Sequence, residues 1–129
     1  MTAVTQTAEA AHNVGLPLIV ESVLWGTRIE NKKDPEMLAF GARMAVELGA
    51  DAIKTEYTGD AKTMKNIIDS CPATVLLLGG SKSSDPEALW EGTRQACAVG
   101  AKGVIYGRNV WQQDDPVAIS RRLREIIHG

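Results

Sequence analysis

Gly49-Ala50-Asp51-Ala52-Ile53-Lys54-Thr55-Glu56-Tyr57-Thr58-Gly59-Asp60 reads as a strand set between two helices. Upstream, Glu36 to Leu48 repeats apolar residues at helical spacing, which predicts that Met37, Leu38, Phe40, Met44 and Leu48 face the core. Gly49 suits the left-handed residue that closes such a helix. Ala52 to Tyr57 then alternates as a strand does, with Ala52, Lys54 and Glu56 on one side and Ile53, Thr55 and Tyr57 on the other. Asp60 is placed to cap a further short helix, Lys62 to Asp69, which Cys71-Pro72 ends.

The same punctuation recurs outward from this segment. Asp34-Pro35, Asp85-Pro86 and Asp115-Pro116 each pair an N-capping carboxylate with a proline, whose missing N–H is harmless at the first helical position. Gly100 closes the helix Glu87 to Val99 as Gly49 closes its own, and a weaker helix from about Thr5 to Val14 stops at Gly15. Between them fall four expected strands: Leu18 to Ser22, Ala52 to Tyr57, Thr74 to Leu78 and Gly103 to Tyr106. Alternation of this kind predicts an α/β fold with parallel pairing and right-handed crossovers. The apolar run Thr74 to Leu78 predicts a strand covered on both faces.

No linker divides the chain, so residues 1–129 are expected to form one domain. Four strand-helix units make either a small open sheet or half of an eight-stranded barrel, which needs about 250 residues when whole. Glycines at the strand exits (Gly26, Gly59, Gly79, Gly80, Gly107) put the functional loops at the C-terminal ends of the strands in either case.

Composition narrows the function classes. Lys and Arg number 14 against 16 Asp and Glu, for a net charge of -2, and only 5% of residues are aromatic. Neither a basic field nor stacking platforms for nucleic acid are expected. The longest apolar stretch, Ala73 to Leu78, is too short for a bilayer, and Met1 to Gly15 lacks the pattern of a signal peptide, so a cytoplasmic protein is expected. Cys71, Cys97, His12 and His128 make no metal-ligand spacing, and neither a metal nor another cofactor is expected.

Two features point to chemistry. A lysine is almost never buried without a partner, so Lys54 in an apolar strand is either splayed to water or held as an amine whose charged form is disfavoured. The second state makes a nucleophile near neutral pH. In the loop Gly79-Gly80-Ser81-Lys82, adjacent glycines let backbone N–H groups converge on an anion. The next strand exit, Tyr106-Gly107-Arg108-Asn109, again sets glycine before a cation. No Rossmann fingerprint or nucleotide P-loop occurs. The tryptophans Trp25, Trp90 and Trp111 read as packing or loop anchors, His12 as a solvated helix residue, and Arg121, Arg122 and Arg124 as a solvated face.

Taken together, Gly49 to Asp60, Leu78-Gly79-Gly80-Ser81-Lys82 and Gly107-Arg108-Asn109-Val110-Trp111-Gln112 resemble the archaeal-type class I fructose-bisphosphate aldolases. The wider group holds deoxyribose-phosphate aldolases and a phospho-sugar thiolase. The likeness runs from about Leu16 to the C-terminus and covers only the C-terminal half of those enzymes, the fifth to eighth strands of a (β/α)8 barrel. It implies that Lys54 forms a Schiff base with a ketose phosphate. Glu56, two residues on along the same face, is read from that position as a candidate to move protons. The resemblance further implies that Gly79, Gly80, Ser81, Lys82, Gly107 and Arg108 bind the substrate phosphate. The family's Tyr-Pro-Arg-Gly-like segment, whose tyrosine is the general acid/base, is replaced here by Ser22-Val23-Leu24-Trp25-Gly26, and Glu21 is a possible substitute. The expected partners are a sugar phosphate and either a second copy or another chain that completes the barrel. The alternatives are an inactive half-barrel that only binds phosphate, the thiolase activity, and an α/β interaction module without a small-molecule role.

Overall fold

The computed structural model describes residues 2–129. Their elements run α1 (Thr2–Asn13), β1 (Ile19–Glu21), α2 (Pro35–Glu47), β2 (Ala52–Thr55), α3 (Ala61–Ser70), β3 (Thr74–Leu78), α4 (Pro86–Ala98), β4 (Val104–Ile105), α5 (Arg108–Trp111) and α6 (Pro116–His128). The strands form one sheet in the order β1-β2-β3-β4, and every neighbouring pair is parallel. The local signals act as their chemistry requires. Asp34, Asp60, Asp85 and Asp115 accept from the backbone N–H of Met37, Thr63, Ala88 and Ala118. Gly49 and Gly100 have φ of +105° and +120°, the left-handed region that lets the chain leave α2 and α4 for a strand.

Register fixes which residues share a face. Ile53, Thr55, Val75 and Leu77 point to the helical layer and are buried, against Leu38, Ala42, Met64, Ile67 and Ala96. The opposite face carries Ile19, Glu21, Ala52, Lys54, Leu76, Leu78 and Ile105, all exposed or half-buried. Helices therefore cover one side of the sheet only. The expectation that Thr74 to Leu78 is covered on both faces does not hold here: Thr74 is exposed, and Leu76 and Leu78 are half-buried.

Two further expectations are corrected and one is extended. In α2 the core is Leu38, Ala42 and Ala45, whereas Met37 and Phe40 are exposed (Phe40 by 64%) and Met44 and Leu48 are half-buried. The helix carries two apolar stripes, and only one meets α3 and β2. Trp90 is buried as an anchor should be, but Trp25 is 86% exposed and meets the Lys32 ammonium 5.9 Å from its ring centre. His12 is exposed as expected, and its Nε2 also lies 2.8 Å from Asp51 Oδ2, which accepts from Leu18 N at 2.7 Å. These contacts hold the end of α1 against the entry to β2. They also keep the Asp51 carboxyl below its ordinary value, chiefly through the Leu18 N–H and then through His12.

Candidate active site

The parallel register of β1 and β2 sets Glu21 opposite Lys54, and Leu76 is the next residue across. Side chains paired this way project on the same side, so the Lys54 ammonium donates to Glu21 Oε2 at 2.9 Å. The Lys54 side chain is 21% exposed and that of Glu21 is 50% exposed. The amine therefore sits on the inner face at the C-terminal rim, partly withdrawn from water.

Lys54 and Glu21 line a cavity of about 240 Å³ with Leu78, Gly79, Gly80, Ile105, Gly107, Arg108 and Trp111. The two strand exits read as anion-like loops thus meet the lysine in one place. Gly80 has φ +64°, and a side chain on Gly79 would come within 2.8 Å of the Tyr106 ring. A Cβ at Gly107 would run into the Trp111 indole, so the ring can lie over the loop only because the position is bare. Lys54 and Arg108 bring two cations to a cavity whose one carboxylate is Glu21.

Asn109, a residue that the sequence did not single out, holds this arrangement. Its side chain is buried, its Nδ2 donates to Gly79 O at 2.5 Å and Ser81 O at 3.0 Å, and its Oδ1 accepts from Ser83 N at 2.7 Å. One amide thus fixes the backbone of the β3 loop from the foot of the β4 loop. Lys82 reinforces the join, donating to Gln112 O at 2.7 Å.

Among the residues expected to bind phosphate, Gly79, Gly80, Gly107 and Arg108 line the cavity together. Ser81 and Lys82 do not line it: the Ser81 carbonyl and the Lys82 ammonium are engaged in the loop-to-loop contacts. Glu56 lies apart from Lys54, in an adjacent cavity of about 240 Å³ with Lys33, Tyr57, Thr93 and Tyr106, and the Gly79–Gly80 backbone forms the wall between the two. β2 ends at Thr55, so the alternation that would align Glu56 with Lys54 has lapsed. The two phenols there are already engaged. Tyr57 donates to Gln95 Oε1 at 2.5 Å, and Tyr106 shares a 2.7 Å hydrogen bond with Thr93; burial raises both hydroxyls above the ordinary value. Among the described residues, no three His, Cys, Asp or Glu side chains gather as a metal-holding group.

A one-sided parallel sheet with its polar groups at the strand exits is the C-terminal half of a (β/α)8 barrel. The DeoC/LacD family aldolase profile matches residues 1–113, and the chain belongs to that family. It is 40% identical over 115 residues to a fructose-bisphosphate aldolase class 1 from Thermoproteus tenax, which covers 88% of this chain and 44% of that protein. Over 122 residues it is 36% identical to a 2-amino-4,5-dihydroxy-6-oxo-7-(phosphonooxy)heptanoate synthase from Streptomyces griseus, covering 95% and 44%. A solved Schiff-base-forming fructose-1,6-bisphosphate aldolase superposes with a TM-score of 0.89 at 38% identity, covering 96% of this chain and 50% of that one. The chain spans about half the length of the curated relatives it matches.

Proposed function

We propose that this chain carries the nucleophile and the phosphate cradle of a class I aldolase acting on phosphorylated sugars, in a cytoplasmic setting. The observation that supports this best is the meeting of Lys54 with Gly79, Gly80, Gly107 and Arg108 around one cavity. The relatives' names fit the same division. Fructose bisphosphate and a phosphonooxy-heptanoate differ widely, yet both carry a phosphate.

In this reading the cradle fixes the phosphate and presents the ketose carbonyl to Lys54, whose nitrogen attacks once it has given up a proton. Attack forms a carbinolamine, and loss of water gives a protonated imine. The imine accepts the electron pair of the bond between the α and β carbons as that bond breaks and the β-hydroxyl gives its proton to a base, releasing an aldehyde and leaving an enamine. A proton then returns to the enamine carbon, and water releases the ketone and restores the lysine. Glu21 at 2.9 Å is the carboxylate within reach of the amine, so we assign it, ahead of Glu56, the proton transfers at nitrogen.

Trapping tests the assignment. Dihydroxyacetone phosphate with borohydride is expected to leave a reduced adduct on Lys54 by peptide mass, and none in Lys54→Met. Labelling of another lysine, or equal labelling in Lys54→Met, would discard it. The closure of the cradle within this half, by Asn109 and Lys82, favours a second reading in which the chain binds phosphate without catalysis. That reading predicts a melting temperature raised by inorganic phosphate with no adduct formed.

A further inference from the structure

We infer that the cavity behind the Gly79–Gly80 wall is a second binding site, for a small zwitterion of the α-amino acid kind with a short apolar side chain. The inference goes beyond the aldolase reading and does not rest on it. Glu56 and Tyr57 reach the cavity from the exit of β2, Gly80 from β3, Tyr106 from β4, and Gly92 and Thr93 from one face of α4. Lys33, just before α2, completes the lining. None of the lining residues lies on α1, β1 or α6, so the segment from Lys33 to Tyr106 forms the cavity by itself.

Two bare positions seat its aromatic walls. A Cβ on Gly92 would come within 3.0 Å of the Tyr57 ring, and one on Gly79 within 2.8 Å of the Tyr106 ring. Glycine inside a helix weakens it, yet Gly92 is what lets the Tyr57 ring lie against the α4 backbone. The hydroxyls on these walls have already given their protons away. Tyr57 donates to Gln95 Oε1, and Gln95 is held in that orientation because its Nε2 donates to Glu91 at 3.0 Å. Thr93 donates to Leu89 O at 2.7 Å, so in its bond with Tyr106 the phenol is the donor. Any of these oxygens that meets a ligand does so as an acceptor.

The charges define the ligand. Lys33 and Glu56 are the charged residues of the lining, and among the described residues neither side chain makes an ion pair or a hydrogen bond. Lys54 and Glu21, across the wall, are paired with each other instead. Glu56 is half-buried, and together with acceptor-only hydroxyls it suits an ammonium. Lys33 is exposed and suits a carboxylate. An anion alone would face Glu56, and a cation alone would face Lys33, whereas a zwitterion satisfies both. Leu78, Ala88 and Leu89 offer apolar surface to its side chain. The volume of about 240 Å³ holds about eight waters at roughly 30 Å³ each, which keeps that side chain short.

Calorimetric titration of the full chain with L-valine is the test, with isobutylamine and isovalerate as probes that lack its carboxylate or its ammonium. Saturable binding of L-valine is expected, about tenfold or more tighter than that of either probe. Glu56→Gln should weaken it about tenfold or more and Lys33→Met about threefold or more. Neither side chain has a hydrogen bond to lose, so both variants should keep the parent's melting temperature without ligand. Saturating inorganic phosphate, which fills the cradle on the other side of the wall, should leave L-valine bound. Absence of L-valine binding at millimolar concentrations would overturn the inference, as would equal affinity in both variants. Displacement by phosphate would overturn it too, by putting the amino acid in the cradle. The two proposals fail separately: imine trapping on Lys54 decides the aldolase reading, and the valine titration decides this one.

Discussion

Lys54 and Glu21 meet on a sheet face that water still reaches, which limits what their attraction adds to stability. Exposed ion pairs contribute roughly 0–1 kcal/mol. Glu21→Gln is therefore expected to change the unfolding free energy by less than about 1 kcal/mol in a urea titration, while slowing imine trapping at Lys54. A loss of stability above about 2 kcal/mol with trapping unchanged would make the pair structural. Asp51 behaves differently, because its carboxylate is stabilised only in the folded chain, by the Leu18 N–H and His12. A depressed folded value means stability present above the ordinary 3.8 and lost as pH falls through the lower folded value. Asp51→Asn should thus lower the melting temperature at neutral pH, and the gap to the parent should narrow in acid below the ordinary value; a constant gap would reject the linkage. At this scale the sequence already pointed to Lys54, Gly79, Gly80, Gly107 and Arg108, because glycine and lysine leave chemical marks that need no coordinates. Glu56 was misplaced because alternation was carried one residue past the end of β2. Asn109 stayed hidden because its three partners lie 26 to 30 residues upstream, in another loop.

Helix starts were the most legible elements, since an Asp-Pro pair acts within one turn. Asp85→Ala should cost about 1 kcal/mol, the usual value of a lost N-cap, read from the midpoint of chemical unfolding. The β3 loop is more demanding. Asn109→Ala removes three hydrogen bonds to backbone groups that are exposed or half-buried, each contributing about 0.5–1.5 kcal/mol net. We expect a loss of about 2 kcal/mol or more, together with loss of any rise in melting temperature on adding inorganic phosphate. Gly80→Ala acts by a separate route, since φ of +64° costs an L-residue roughly 1–2 kcal/mol and nothing within 4 Å obstructs the added methyl. If Asn109→Ala kept the full response to phosphate, the amide would have no part in shaping the cradle. α2 was read less well. Helical periodicity shows that a face is apolar, but a helix with two such stripes gives no sign of which one finds a partner.

The whole molecule is one sheet clothed on a single side, and its parallel pairing followed from strand-helix alternation because parallel strands need crossovers, whereas the order β1-β2-β3-β4 did not. That the inner face stays bare did not follow, since an apolar strand looks alike whether its second covering is present or supplied from elsewhere.

The Asn109 clasp has a consequence for how substrate choice is divided. Under the proposed function, one buried amide joins the two loops that would face the phosphate, so the grip on the common end of the substrate is set by these loops together. Discrimination among the variable ends then falls to groups outside the cradle, and changes there would alter which aldehyde is accepted while the demand for a phosphorylated ketone stays.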